Sequence, residues 1–256
     1  MTATTGPDLD AGELTELLLR LLTDDDYRKR LAEHGAQAVA RNAAEFICLS
    51  TVDQQELDFT ARRFRSNLWK GDGANGIAAA FPRSVALLER VGWHQQRLLS
   101  AFLRSPEFEA YRALPYTGEG TSLEEAFGTF AMSLPEEEVG RGDTGSEVLR
   151  CTLEHEMLMA LFTALVHESP VAFRSGVAGI MSTDNGYAVL RTYSAAVLAG
   201  WGVATAGAGP LCCLYTSTPR GMVFGPVPQR VADALSRPGE ASAEKVRQAL
   251  RMRGIW

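Results

Sequence analysis

The segment from Ser146 to His167 most constrains what this chain can fold into. Leu149, Leu153, Met157, Ala160, Leu161 and Ala164 recur there at a helical period, so the spacing predicts one long helix with an apolar face. Such a helix must bury that face, which makes it the expected centre of a packed domain. The same period recurs upstream in shorter blocks. Leu14, Leu17, Leu18, Leu21 and Leu22 form one apolar stripe. Thr23-Asp24-Asp25-Asp26 interrupts it and offers acidic caps for a helix that resumes at Tyr27, passes Leu31 and stops at Gly35. Ala36 to Leu49 reads as helix, and Asp53 caps another through Phe59 towards Trp69. Beyond a turn at Gly71–Gly76, helical blocks are expected at Ile77–Phe81, Pro82–Val91, Trp93–Phe102, Pro106–Leu114 and Ser122–Met132. Pro82 suits the first turn of its helix, where a missing N–H costs nothing. Glu136–Gly145 reads as an acidic loop.

The pattern changes after Pro170. Val189–Tyr193 has the β-branched and aromatic character of a strand, whereas the Ala/Gly run from Ala195 to Gly209 fits neither template. Leu211–Ser217 and Met222–Phe224 flank Thr218-Pro219-Arg220-Gly221, a hairpin signal. Val227–Ser236 and Ala243–Arg253 read as two closing helices, the second capped by Ser242. The expected fold is therefore mainly α with a small α+β C-terminal module. A helical bundle occupies residues 1–169, and a hairpin or winged-helix-like domain occupies residues 170–256.

Composition narrows the function classes. With 256 residues, 46% hydrophobic and 22% charged, the chain has the make-up of a folded globular protein and not of a disordered or collagenous one. A formal charge of −6 supplies no general attraction for nucleic acid. No apolar run is long enough for a transmembrane helix, and Met1–Pro7 lacks the regions of a signal peptide, so a cytoplasmic location is expected. Cys48, Cys151, Cys212 and Cys213 contain no C-x-x-C spacing and read as reduced packing residues.

One cluster has ligand chemistry: Glu154-His155-Glu156, with His167-Glu168 downstream. A zinc-protease helix needs a second histidine four residues on, where this chain has Met159. His155 and His167 lie about three helical turns apart. Neither Glu154 nor Glu156 begins the Glu-x-x-His of a di-iron bundle. The turn at Gly71–Gly76 lacks the strand and the Gly-Lys-Ser/Thr of a phosphate loop, and no nucleophile elbow is present. The cluster thus reads as a helix face with one interfacial histidine. Two alternatives stay open: a helical metalloenzyme using Glu154, His155, Glu156 and His167, and a winged-helix DNA-binding regulator reading DNA with the basic last helix that carries Arg247 and Arg251.

The order of several short patches resembles a known family. Arg63 to Leu103, with Arg65-Ser66-Asn67-Leu68, Ala78-Ala79-Ala80-Phe81-Pro82, Leu87-Leu88 and Phe102, resembles the N-terminal helical domain of HvfC/MbnC-like partner proteins. Glu147–Leu161 is similar to that family's later helix, and Cys213–Trp256 to its C-terminal strand–hairpin–helix module. Leu19–Leu57 resembles a helical segment of ribosomal-peptide biosynthesis proteins. The resemblance implies a non-catalytic subunit in ribosomal peptide (RiPP) natural-product biosynthesis. Such a subunit recognises a precursor's leader peptide and presents it to a TIM-barrel multinuclear non-haem iron oxidase. It implies iron on that partner enzyme and no cofactor or metal on this chain.

The residues themselves point to a compatible binding mode. A short sheet with an exposed edge can accept a peptide as an added strand. The peptide is expected beside Leu211–Ser217 or beside Met222–Phe224, with Leu211, Cys213, Tyr215, Met222 and Phe224 as contact residues. Arg63, Phe64, Trp69, Trp93 and His94 are candidate anchors for the oxidase, being of types favoured at interfaces or their neighbours.

Overall fold

The computed structural model describes residues 9–71, 76–113, 121–134, 143–167, 177–184, 186–205, 207–237 and 239–256, with side chains of the 143–167 helix described for 145–164. Residues 72–75 of the expected turn, 136–142 of the expected acidic loop and the opening Met1–Pro7 lie outside the described residues. In chain order the helices are α1 (Ala11–Thr23), α2 (Asp25–His34), α3 (Ala43–Ser50), α4 (Gln54–Lys70), α5 (Ile77–Ala80), α6 (Pro82–Arg90), α7 (Gln95–Phe102), α8 (Pro106–Ala113), α9 (Leu123–Met132) and α10 (Asp143–His167). Strands β1 (Met181–Ser182) and β2 (Tyr187–Tyr193) follow, then α11 (Ala195–Gly200), β3 (Leu211–Thr218), β4 (Gly221–Pro226), α12 (Gln229–Leu235) and α13 (Ala241–Met252). The protein is mainly α with a small antiparallel sheet towards its C-terminus, the expected class. Among the described residues no helix is long and apolar enough to cross a membrane.

The chain condenses into two compact units, and their boundary is not the one expected at residue 170. One runs to Ala79 and returns for His94–Glu109; the other comprises Ala80–Trp93 and Ala110–Trp256. The long helix therefore belongs with the sheet, because its apolar face is what the sheet covers.

The first unit follows its local signals closely. Asp10 and Glu13 form a reciprocal capping box on α1, Asp24 caps α2 through the Tyr27 amide, and Asp53 caps α4. Gly35 ends α2 at φ 75°, a left-handed conformation that favours glycine. The expected helix from Ala36 to Leu49 is instead a 3₁₀ turn at Ala36–Ala38 followed by α3, because Asn42 caps the Glu45 amide and restarts the helix there. Leu17, Leu21, Tyr27, Leu31, Leu49 and Leu57 make the core. The expected five-leucine stripe is narrower than its sequence suggests: Leu14 and Leu18 are exposed. Arg65 of α4 ties the unit together, reaching the Thr23 carbonyl at 2.9 Å, Asp25 at 2.9 Å and Ser100 at 3.2 Å.

In the second unit the sheet has the order β1-β2-β3-β4, every pair antiparallel. The expected hairpin is present, but it forms half of a four-stranded meander. Alternation sends β2 and β3 residues to two covered faces. Val189, Tyr193, Cys213 and Tyr215 pack against Leu158, Leu161 and Phe162 of α10. Ala188 and Leu214 pack against Leu235, Leu250 and Trp256 beneath α12 and α13. The adjacent cysteines divide the same way; both are buried since both faces are covered, and all four cysteines are free thiols. Burial pushes the Cys213 thiol up to about 11, as expected for an unreactive packing residue. On the side of α10 away from the sheet, Gly128 of α9 brings two helices close, since a Cβ there would lie 2.7 Å from Met157 Sδ. Ser242 does not cap α13: Glu240 stands at the N-cap, and the Ser242 hydroxyl donates to its carboxylate.

Candidate functional site

Strand β4 is an outer strand, and its register decides what it offers. The Val227 amide donates to the Cys212 carbonyl at 2.8 Å. Hydrogen bonding alternates along an antiparallel pair, so Gly225, Val223 and Gly221 also turn their main-chain groups towards β3. Met222 and Phe224 then direct their N–H and C=O groups outward, with Pro226 closing that row because it has no N–H. Among the described residues no strand pairs with this edge.

Beneath the edge lies a chain of buried polar groups. Phe224 turns its ring inward, with its centroid 4.7 Å from that of His155 and 4.6 Å from that of Tyr215. His155, on α10, stacks on Trp201 at 4.1 Å with planes 12° apart. Its Nδ1 lies 2.9 Å from the Tyr215 hydroxyl. Tyr215 donates to the Tyr193 hydroxyl at 3.0 Å, and Tyr193 donates to Glu154 at 3.3 Å. Each hydroxyl has one proton to give, so that direction requires His155 Nδ1–H to donate to Tyr215. The chain ends in an ion pair, Arg191 Nε to Glu154 at 2.6 Å. Arg191 also donates to the Ala178 and Leu190 carbonyls.

Burial sets the protonation states. Desolvation, helped by nearby Arg83, pushes the His155 imidazole down to about 4, so it is neutral near pH 7. Burial raises both tyrosine hydroxyls far above their ordinary range, Glu154 adding to the effect. The chain is therefore a set of neutral donors and acceptors fastened to one charged pair, and its job in the fold is to hold β3 and β4 against α10.

The Glu154-His155-Glu156 cluster is thus pulled three ways. Glu154 meets Arg191, His155 meets Tyr215 and Trp201, and Glu156 faces α6. There Glu156 accepts from the Arg83 and Ser84 amides, both at 2.9 Å. Phe81 at the N-cap has no capping side chain and Pro82 has no amide, so a carboxylate from a distant helix caps α6. The side chain of His167 lies outside the described residues, and among those described no group of three or more His, Cys, Asp or Glu could hold a metal ion.

The expected contact residues separate by strand. Cys213 and Tyr215 are fully buried under α10, Leu211 is partly buried, and β3 is paired along both edges, so a peptide strand has no access beside Leu211–Ser217. Met222 and Phe224 are the pair whose main chain no strand covers among the described residues. Of the expected oxidase anchors, Arg63 and His94 are exposed and Phe64 is half-buried, whereas Trp69 and Trp93 are buried as core residues. The exposed apolar side chains of the helical unit are others: Leu14, Leu18, Phe46, Ile47 and Phe59. A sequence reading that assigns every apolar residue in a helical stripe to the core passes over them. On α13, Arg247 and Arg251 are held by Glu244, and Arg251 also by Asp184 at 2.5 Å, so these two arginines are paired within the protein.

Comparison of the chain with family models, curated proteins and solved structures gives no match.

Proposed function

We propose that this protein is a cytoplasmic, non-catalytic partner subunit that captures the leader of a ribosomally made precursor peptide. It presents the peptide to a multinuclear non-haem iron oxidase carrying the metal. The observation that supports this reading is the β4 edge, where Met222 and Phe224 direct unpaired main-chain groups outward from a strand braced by Phe224, Tyr215 and His155. An added strand gains affinity from main-chain hydrogen bonds, and a pre-braced edge loses little entropy on binding. The resemblance of Arg63–Leu103 and Cys213–Trp256 to HvfC/MbnC-like proteins supports the same reading.

The test begins with the tagged chain expressed beside the proteins encoded next to it. Recovery of an iron-bearing barrel enzyme together with a short precursor is the expected result. The Met222 and Phe224 amides then gain protection from hydrogen exchange when the precursor is added. Met222→Pro removes an outward amide without touching the β3 ladder, and loss of that bond should weaken precursor binding about three- to tenfold. A precursor that binds with unchanged affinity to a folded Met222→Pro protein overturns the assignment of the edge.

A further inference from the structure

A second surface in the sheet-bearing unit has a different chemistry. Helices α6 and α11 form the walls of a cleft of about 320 Å³ whose floor is α10. Ala86, Leu87, Val148, Val197 and Trp201 make the lining largely apolar. Arg83 and Arg90 stand on the α6 rim, both exposed. Among the described residues no carboxylate lines the cleft and neither arginine has an ion-pair partner; there the Arg83 side chain makes a 3.4 Å contact to the Trp201 carbonyl. In a chain of net charge −6, two cations with no counter-charge among the described residues, beside an apolar cleft, form a local complement for acid.

Spacing specifies the partner further. Residues 83 and 90 are two helical turns apart, about 10 Å along the axis, with Ala86 and Leu87 between them. The matching ligand carries an acidic side chain, apolar side chains three and four residues on, and a second acid after two turns. That is one face of an amphipathic helix, and a groove between two helices over a third is the shape such a helix occupies. Across the cleft Ala196 and Gly200, both exposed and one turn apart, leave room for a backbone to approach. We infer that this cleft docks an acidic amphipathic helix of a partner protein, with its apolar residues against Ala86, Leu87 and Val148 and its carboxylates on Arg83 and Arg90. The docking uses α6, α10 and α11, and it holds whether or not β4 takes a strand.

The probe is a fluorescent, helix-stapled peptide with two glutamates two turns apart and leucines between them, titrated into the full chain. Saturable binding that weakens as salt rises is expected. Arg90→Glu should weaken it about five- to tenfold, and exchanging the facing glutamate for lysine should restore it. Ala196→Trp, an exposed position whose larger side chain fills the cleft, should abolish binding without unfolding the protein. Met222→Pro should leave it unchanged, so this proposal and the strand-edge assignment fail separately. Absence of saturable binding overturns the inference, as does binding indifferent to both Arg90→Glu and Ala196→Trp.

Discussion

Glu45 of the helical unit and Glu156 of the sheet-bearing unit are carboxylates with 0% and 6% of their surface exposed, yet their partners belong to different chemistries. Glu45 is met by full charges: Arg20 at 2.5 Å and Arg41 at 2.7 Å, with the Arg41 amide donating as well. Burial alone would push its carboxyl up, but those bonds outweigh burial and leave it below the usual range. Glu156 is met by two backbone amides at a helix start. The first arrangement depends on long side chains that solvent reaches, since Arg41 is half exposed. The second depends on main-chain dipoles that cannot move without melting α6. A buried acid can thus be satisfied by mobile charge or by fixed geometry, and the two should respond differently to perturbation.

Removing each acid is the strongest way to break that comparison. Glu45→Ala leaves two guanidiniums without their shared counter-charge, and about 3 kcal/mol of unfolding free energy should be lost, a figure at the low end for buried pairs because water reaches Arg41. Glu156→Ala removes two charge-assisted amide bonds and should cost about 2 kcal/mol. Urea unfolding in low and high salt sharpens the contrast: the Glu45 penalty should shrink as salt rises, and the Glu156 penalty should change less. Equal salt responses would put the two carboxylates in one class.

Acid acts next on the sheet-bearing unit, through His155. Its imidazole takes up a proton near 6.5 in the unfolded chain but only at about 4 when folded. Stability from this group is therefore complete above pH 6.5, declines as pH falls towards 4, and is level below that. The loss has an upper bound of about 3 kcal/mol. The difference in stability between the parent and His155→Gln, followed across that window, isolates the histidine from the carboxylates; a flat difference would mean that His155 protonates freely in the fold. The smallest expected effect is that of Tyr193→Phe, which removes the link between Tyr215 and Glu154. It should cost about 1 kcal/mol in the same urea measurement, leaving the Arg191–Glu154 pair in place.

How much of this was legible in the sequence differs between the units for physical reasons. In the helical unit the decisive signals are local. Asp24, Gly35 and Asp53 act within one turn of themselves, so caps and stops could be read directly. Asn42 was the exception, an N-cap hidden in an alanine-rich run. In the sheet-bearing unit the hairpin at Thr218–Gly221 was equally local, but its pairing with β2 was not, and that pairing is what closes β3 to a peptide. The Glu154-His155-Glu156 run shows the limit most clearly. Adjacent residues on a helix point some hundred degrees apart, so proximity in sequence brought three potential ligands together only on paper. Their partners, Arg191, Tyr215 and the α6 amides, lie between 37 and 73 residues away.

That last separation has a consequence for how the protein is made. On the ribosome α6 is synthesised long before Glu156 leaves the exit tunnel. Until then the Arg83 and Ser84 amides have only water to bond, and Pro82 merely biases the first turn. The start of α6 is settled late, when α10 arrives. During synthesis the residues from Ala80 to Trp93 must wait for a helix encoded well downstream.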